Sequence, residues 1–275
     1  MSKSTHSLAD LYDLSITRLF LTGPQAILRM VLMQSERDRQ AGLDTAGYVS
    51  GYRGSPVGTV DNQFQAARKV LEPRNIVFQP GLNEGLAATA CWGAQQAEMR
   101  GEGKHDGVFA LWYGKGPGVD RTGDVFRHAN MAGTSPHGGV LAIAGDDHSG
   151  ESSTVVHASD VALMDAMIPV LSPAGVQEII DFGLLGIALS RHAGVWVGLK
   201  CVHDTVESSA VVEAGLERIA PVFPTEPAPP PGGRAGSVGS TGVQRSSPAS
   251  TTAEDSTVSC THLRPTQTPA WRDSA

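Results

Sequence analysis

Cysteine is scarce in this sequence. Cys91, Cys201 and Cys260 are its three thiols, too few and too scattered for a disulfide framework or a four-thiolate iron–sulfur cluster. Positive charge is also short. The 21 lysines and arginines against 28 acidic residues leave a net charge of −7, whereas a nucleic-acid surface needs a basic face. No apolar run approaches the ~20 residues that span a bilayer. Residues 1–10 are polar and lack the apolar stretch of a secretion signal. These absences lead us to expect a soluble, cytoplasmic protein with neither a nucleic-acid nor a membrane partner. What is plentiful is apolar residues, 40% of 275 positions. That is enough for one large domain with an extension, or for two small domains.

Residues 1–17 read as a polar leader, extended from about residue 16 onward. Thr22-Gly23-Pro24-Gln25 then has three helix-start features: a Thr cap, Pro in the first turn and Gln three residues after the cap. Short apolar segments at 46–50, 76–79, 108–112, 140–144, 169–171 and 195–199 alternate with helical periodicity. Helices are expected at about 59–71, 83–100, 119–126, 157–164 and from Ser172-Pro173 to about 191. Unbroken apolar strands alternating with helices predict an α/β fold, a mostly parallel sheet with helices on both faces in three layers. From residue 225 to 275 the chain is rich in Pro, Gly, Ser and Thr, and its large apolar residues are three valines, Leu263 and Trp271. Such a stretch buries too little surface to offset its ordering entropy and is expected to be disordered.

Several segments carry chemistry-bearing residues after strands. Glu84 follows Gln79-Pro80-Gly81-Leu82-Asn83 and opens a helix of small residues, Gly85 to Gln96. It is either a ligand-binding carboxyl or an ordinary acid favoured by the helix dipole. Arg53-Gly54-Ser55-Pro56 can converge on a carboxylate or be a plain Gly-Pro turn. Gly114-Lys115-Gly116-Pro117-Gly118 reads as a glycine-rich loop, yet it lacks the order of a phosphate loop. Val119 stands where a dinucleotide fingerprint needs its third glycine. Asp146, Asp147 and His148 are adjacent in sequence, a spacing that seldom converges on one metal ion, so a capped loop is the alternative. Ser152 and Ser153 lie in no GxSxG elbow.

Taken in order, Leu21-Thr22-Gly23, Gly51-Tyr52-Arg53-Gly54-Ser55-Pro56, Phe78 through Glu84, Trp112 through Arg121 and Gly145 through Ser153 form a recognisable series. Over residues 18–224 it resembles the N-terminal part of the long indolepyruvate ferredoxin oxidoreductases, thiamine-diphosphate enzymes of the 2-oxoacid oxidoreductase superfamily. The resemblance implies their pyrimidine-binding domain, a flavodoxin-like fold with a six-stranded parallel sheet. It implies that Glu84 hydrogen-bonds N1′ of the aminopyrimidine, with Asn83 as a second cofactor contact. Sharing a proton at N1′ lets the cofactor's own amino group accept the proton of its thiazolium carbon. Ser55 matches the hydroxyl of the substrate loop, and Arg53 and Lys115 are candidates for the 2-oxoacid carboxylate. The complete reaction would convert a 2-oxoacid and coenzyme A to acyl-CoA, with ferredoxin as electron acceptor.

The Gly-Asp-Gly…Asn motif that holds Mg²⁺ and the diphosphate in that family is missing, as are the cysteines of its 4Fe-4S clusters. A metal site is therefore not expected here. The chain alone is expected to be inactive, and to associate with itself or with a diphosphate-binding domain. The break near Pro224 fits a truncated or frame-shifted product, with regulatory disorder as the alternative. Two other readings are a non-catalytic subunit paired with a diphosphate-binding chain, and a nucleotide-binding α/β module using Gly114 to Gly118.

Overall fold

Strands that are apolar on both sides need cover on both faces. The computed structural model, which describes residues 7–153 and 155–223, provides it. The chain runs β1 (Arg18–Thr22), α1 (Gly23–Gln40), β2 (Thr45–Gly51), α2 (Val60–Ala66), α3 (Arg68–Leu71), β3 (Ile76–Phe78), α4 (Glu84–Met99) and β4 (Gly107–Lys115). It continues through α5 (Gly116–Ala132), β5 (Val140–Asp146), α6 (Ser159–Asp165), β6 (Val170–Leu171), α7 (Val176–Ala193), β7 (Val197–Val202), α8 (His203–Val206) and β8 (Ser209–Glu213). One six-stranded sheet has the order β3-β2-β4-β5-β7-β6, and every pairing in it is parallel. The expected α/β architecture is present, with a strand at each of the six anticipated places. The disordered tail expected at 225–275 lies outside the described residues.

Strand β4 sets the two layers by its period of two. Phe109, Leu111 and Tyr113 enter one cluster, with apolar residues of α1, α2 and α7. Ala110 and Trp112 enter the other, with α4, α5 and α6. On this second face β5 offers Ala142 and Ala144, and α4 offers Ala87, Ala88 and Cys91. So little bulk lets helix and strand backbones approach closely, and three large rings fill the remaining space. Trp112 meets Phe126 edge-on at 4.9 Å, and Phe126 meets Trp196 at 5.7 Å. Among the described residues no helix is long and apolar enough to cross a membrane.

The structure departs from the sequence reading in five places, four of them in the elements of the domain. Gly114 to Gly118 is not a loop: β4 extends through Lys115 and α5 begins at Gly116. The segment 59–71 is two short helices rather than one. Helix α7 starts after Gly175, not at Ser172-Pro173. The chain also continues past β7 and returns as β8, antiparallel to β1, with Arg18 opposite Glu213.

Residues 7–17, read as part of a polar leader, are tied into the packed unit. Ser7 caps a 3-10 turn over Leu8–Tyr12, and Leu11 is buried. The anchor is Arg29, which is fully buried on α1. Its guanidinium donates to the carbonyls of Leu11 (3.0 Å), Asp13 (2.9 Å) and Ile16 (2.7 Å). Burial lowers its pKa to about 10, so it stays a cation dissolved in backbone carbonyls. Arg29→Ala should strand those carbonyls and cost about 3 kcal/mol, read as a lower urea midpoint with little change in slope.

Candidate active site

In an open parallel sheet, ligands bind at the carboxyl ends of strands where the crossovers diverge. Here that point lies between β2 and β4. The chain leaves β2 for α2, whose Val60 and Phe64 join the first core layer, and leaves β4 for α5, whose Val119 and Phe126 join the second. The 52–59 loop, the start of α4 and the start of α5 meet at this edge.

Glu84 is the first residue of α4 and is only 5% exposed. Its main chain is pinned from the sheet, because the Trp112 indole N–H donates to the Glu84 carbonyl at 3.0 Å. Its side chain lies where two glycines leave room. A Cβ on Gly118 would sit 2.5 Å from Glu84 Cγ and 2.7 Å from Oε1, and one on Gly114 would sit 3.4 Å from Cγ. Gly118 is in the first turn of α5, so the carboxylate sits beside the amino ends of two helices, where backbone N–H groups carry positive potential. Among the described residues, no donor or cation meets this carboxylate.

The other anticipated residues reach the same edge by different routes. The Lys115 stem crosses Gly54, where an added Cβ would lie 2.9 Å from its Cδ. That contact brings the Arg53-Gly54-Ser55 turn onto the end of β4. Pro56 and Val57 close over Gly145 at the end of β5. Arg53 is exposed and Ser55 half-buried. Asn83 caps α4, its side-chain oxygen accepting the Leu86 N–H at 2.9 Å. Tyr113 donates to Asp61 at 2.6 Å, which fixes α2 behind the loop. Trp112 was not anticipated as a site residue, and Gly114 and Gly118 were weighed only as part of a nucleotide loop. A tryptophan in an otherwise small-residue layer was the sequence signal for Trp112, since a buried indole N–H needs an acceptor.

Asp146, Asp147 and His148 diverge. Asp146 turns inward and accepts from the Ser159 N–H (2.7 Å) and hydroxyl (2.5 Å), while His148 is exposed. Asp147 folds its own loop, accepting the backbone N–H groups of Gly150, Glu151, Ser152 and Ser153 at 2.6–3.1 Å. Among the described residues, no group of three or more His, Cys, Asp or Glu side chains converges on a metal position. With α5 starting directly after Lys115, the nucleotide-loop reading of Gly114 to Gly118 has no loop to rest on.

No family model matches the chain. It is 26% identical over 205 residues to the indolepyruvate oxidoreductase subunit IorA of Methanothermobacter marburgensis, covering 74% of this chain and 29% of that relative. It is also 26% identical over 199 residues to the IorA of Archaeoglobus fulgidus, covering 72% and 29%. Over these residues the chain is similar to the indolepyruvate oxidoreductase subunits IorA. It matches less than a third of the relatives' own length. Its fold also superposes, with a TM-score of 0.53 and 17% identity, on a 2-oxoglutarate:ferredoxin oxidoreductase from Magnetococcus marinus solved with 2-oxoglutarate, coenzyme A and succinyl-CoA. That match covers 70% of this chain and 30% of the other.

The loop after β5 should be acid-sensitive in a way set by Asp147. Burial opposes its ionisation, but the four N–H groups outweigh it and lower the pKa to about 2. A depressed carboxylate contributes stability that is complete above its unfolded value, about 3.9, and is lost as pH falls through the folded one. The Ser152 and Ser153 amides should therefore stay protected from hydrogen exchange above about pH 4 and lose protection toward about pH 2. Asp147→Asn should expose them already at neutral pH.

Proposed function

We propose that this domain holds the aminopyrimidine half of thiamine diphosphate for a 2-oxoacid oxidoreductase, with Glu84 as its partner at N1′. One observation carries the reading: Glu84, a residue only 5% exposed, has a carboxyl group that no donor or cation meets among the described residues, in a space that Gly118 keeps open. A buried carboxylate without a partner is costly in a finished site. A ring nitrogen sharing its proton would relieve that cost. Aspartate would be too short to reach, and glutamine could not exchange a proton. The residues present therefore fit this half of the cofactor.

When bound, thiamine diphosphate supplies a nucleophilic carbon and an electron sink for the carboxylate lost from a 2-oxoacid. The chain's own contributions are local. Glu84 holds a proton at N1′, fixed by the Trp112 bond to its carbonyl and by the two helix ends beside it. The Ser55 hydroxyl and the Lys115 and Arg53 cations are the groups of this edge whose chemistry suits a 2-oxoacid carboxylate. Asn83 acts through the α4 cap, which fixes where the helix begins and so where Glu84 stands. A diphosphate- and Mg²⁺-binding domain, from another chain or a second polypeptide segment, completes the site. The full reaction is then oxidative decarboxylation of an indolepyruvate-like 2-oxoacid to acyl-CoA, with electrons passing to ferredoxin.

A titration of the full chain with thiamine diphosphate and Mg²⁺, followed by NMR of a ¹³C-labelled Glu84 carboxyl, tests this. The signal should move with a dissociation constant of about 1 mM or weaker, as expected of half a site. Glu84→Gln should abolish the response with the fold intact. Micromolar binding would overturn the half-site reading, and an unmoved Glu84 signal would overturn the assignment of this carboxyl.

A further inference from the structure

The first turn of α5 is held from both sides. Gly118 faces Glu84, and Gly116, two residues earlier, faces His157. A Cβ on Gly116 would lie 2.2 Å from His157 Cγ and 2.4 Å from Nδ1, so the imidazole rests directly on the helix backbone. The ring is mostly buried, its side chain 14% exposed. Its Nε2 lies 2.9 Å from Asp120 Oδ2, one turn along α5. Its Nδ1 lies 3.3 Å from Ser159 Oγ at the start of α6 and 3.5 Å from Asp146 Oδ1 at the end of β5. The Ser159 hydroxyl gives its hydrogen to Asp146. Both ring nitrogens therefore face acceptors, one on α5 and one on the β5–α6 side. Lys200 on β7 stands 4.0 Å from Asp146 and 2.9 Å from Asp160 of α6, which anchors the far end of the chain of contacts.

We propose that His157 is a positioning residue that rivets the first turn of α5 to β5 and α6, and so sets the wall against which the Glu84 carboxyl rests. The inference deepens the proposed function, since it assigns a role beside the same carboxyl. The geometry gives the reason. The start of α5 has no side-chain cap, and Pro117 offers no backbone N–H to fix it. Val119 seats one side of the turn in the core, and the imidazole fills the space on the Gly116 side. A shift of Gly116 toward that space carries Gly118 away from Glu84, which enlarges the cradle. Asp120 aims the ring and does not touch the carboxyl.

Unliganded spectra decide the question. Asp120→Asn weakens the exposed anchor of the ring by removing its charge without opening a cavity, and His157→Ala removes the ring itself. Both should move the Gly118 amide and Glu84 carboxyl resonances, and His157→Gln should restore most of the shift through its remaining donor. Arg29→Ala, which weakens the opposite layer, should lower stability and leave both resonances in place, so general destabilisation is distinguished from repositioning. Thiamine diphosphate should also bind Asp120→Asn roughly fivefold more weakly than the unaltered chain. Glu84 and Gly118 resonances that stay fixed in folded Asp120→Asn and His157→Ala would overturn the rivet. A chain whose Glu84 signal ignores thiamine diphosphate would instead overturn the proposed function, and the unliganded spectra would still judge His157.

Discussion

Backbones at the carboxyl end of this sheet lie so close to neighbouring side chains that several positions have room for hydrogen alone. Gly54 lies under the Lys115 stem, Gly118 against Glu84, Gly116 against the His157 ring and Gly145 under Val57. Each pair joins elements far apart in sequence, so this edge is assembled by steric exclusion. The alanine-rich second layer makes such proximity possible, because Ala87, Ala88, Ala142 and Ala144 let α4 and α5 settle onto the strands. A bulkier layer would lift both helices and open the cradle around Glu84. Catalytic geometry in general tolerates little such movement.

The fold was largely legible because its signals are local. Six apolar runs became six strands, and the side chain of Gln25 accepts the Thr22 N–H as the start motif of α1 implies. Misreadings arose where distant contacts override local preference. Gly114 to Gly118 has loop composition, yet β4 pairs with β5 as far as Lys115 opposite Gly145, which draws the segment into strand and then helix. Residues 7–17 are tied to the core by Leu11, with Tyr12, Leu14 and Ile16 packed against it, and by backbone carbonyls that bind Arg29, a partner distant in sequence. β8 was missed because its partner, β1, lies at the other end of the domain.

For the candidate site, position was legible and surroundings were not. A strand, a Pro-Gly turn and an acid at a helix mouth placed Glu84 at the carboxyl end of the sheet, and it is found there, buried. Its glycine walls, the Trp112 bond and the His157 contact are relations across the sheet that no spacing encodes. Asn83 shows the same limit from the other side. A polar residue beside a candidate carboxyl suggests a ligand contact, whereas its side-chain oxygen is committed to the helix cap.

The pairing of β1 with β8 has a consequence for biosynthesis. The earliest strand to leave the ribosome finds its partner only after all six strands of the main sheet have been made. Until then its exposed Phe20 and unpaired backbone are open to wrong partners. The ribbon closes last, so a nascent chain stalled before β8 would present a nearly complete sheet with a loose first strand, the kind of surface on which chaperones act.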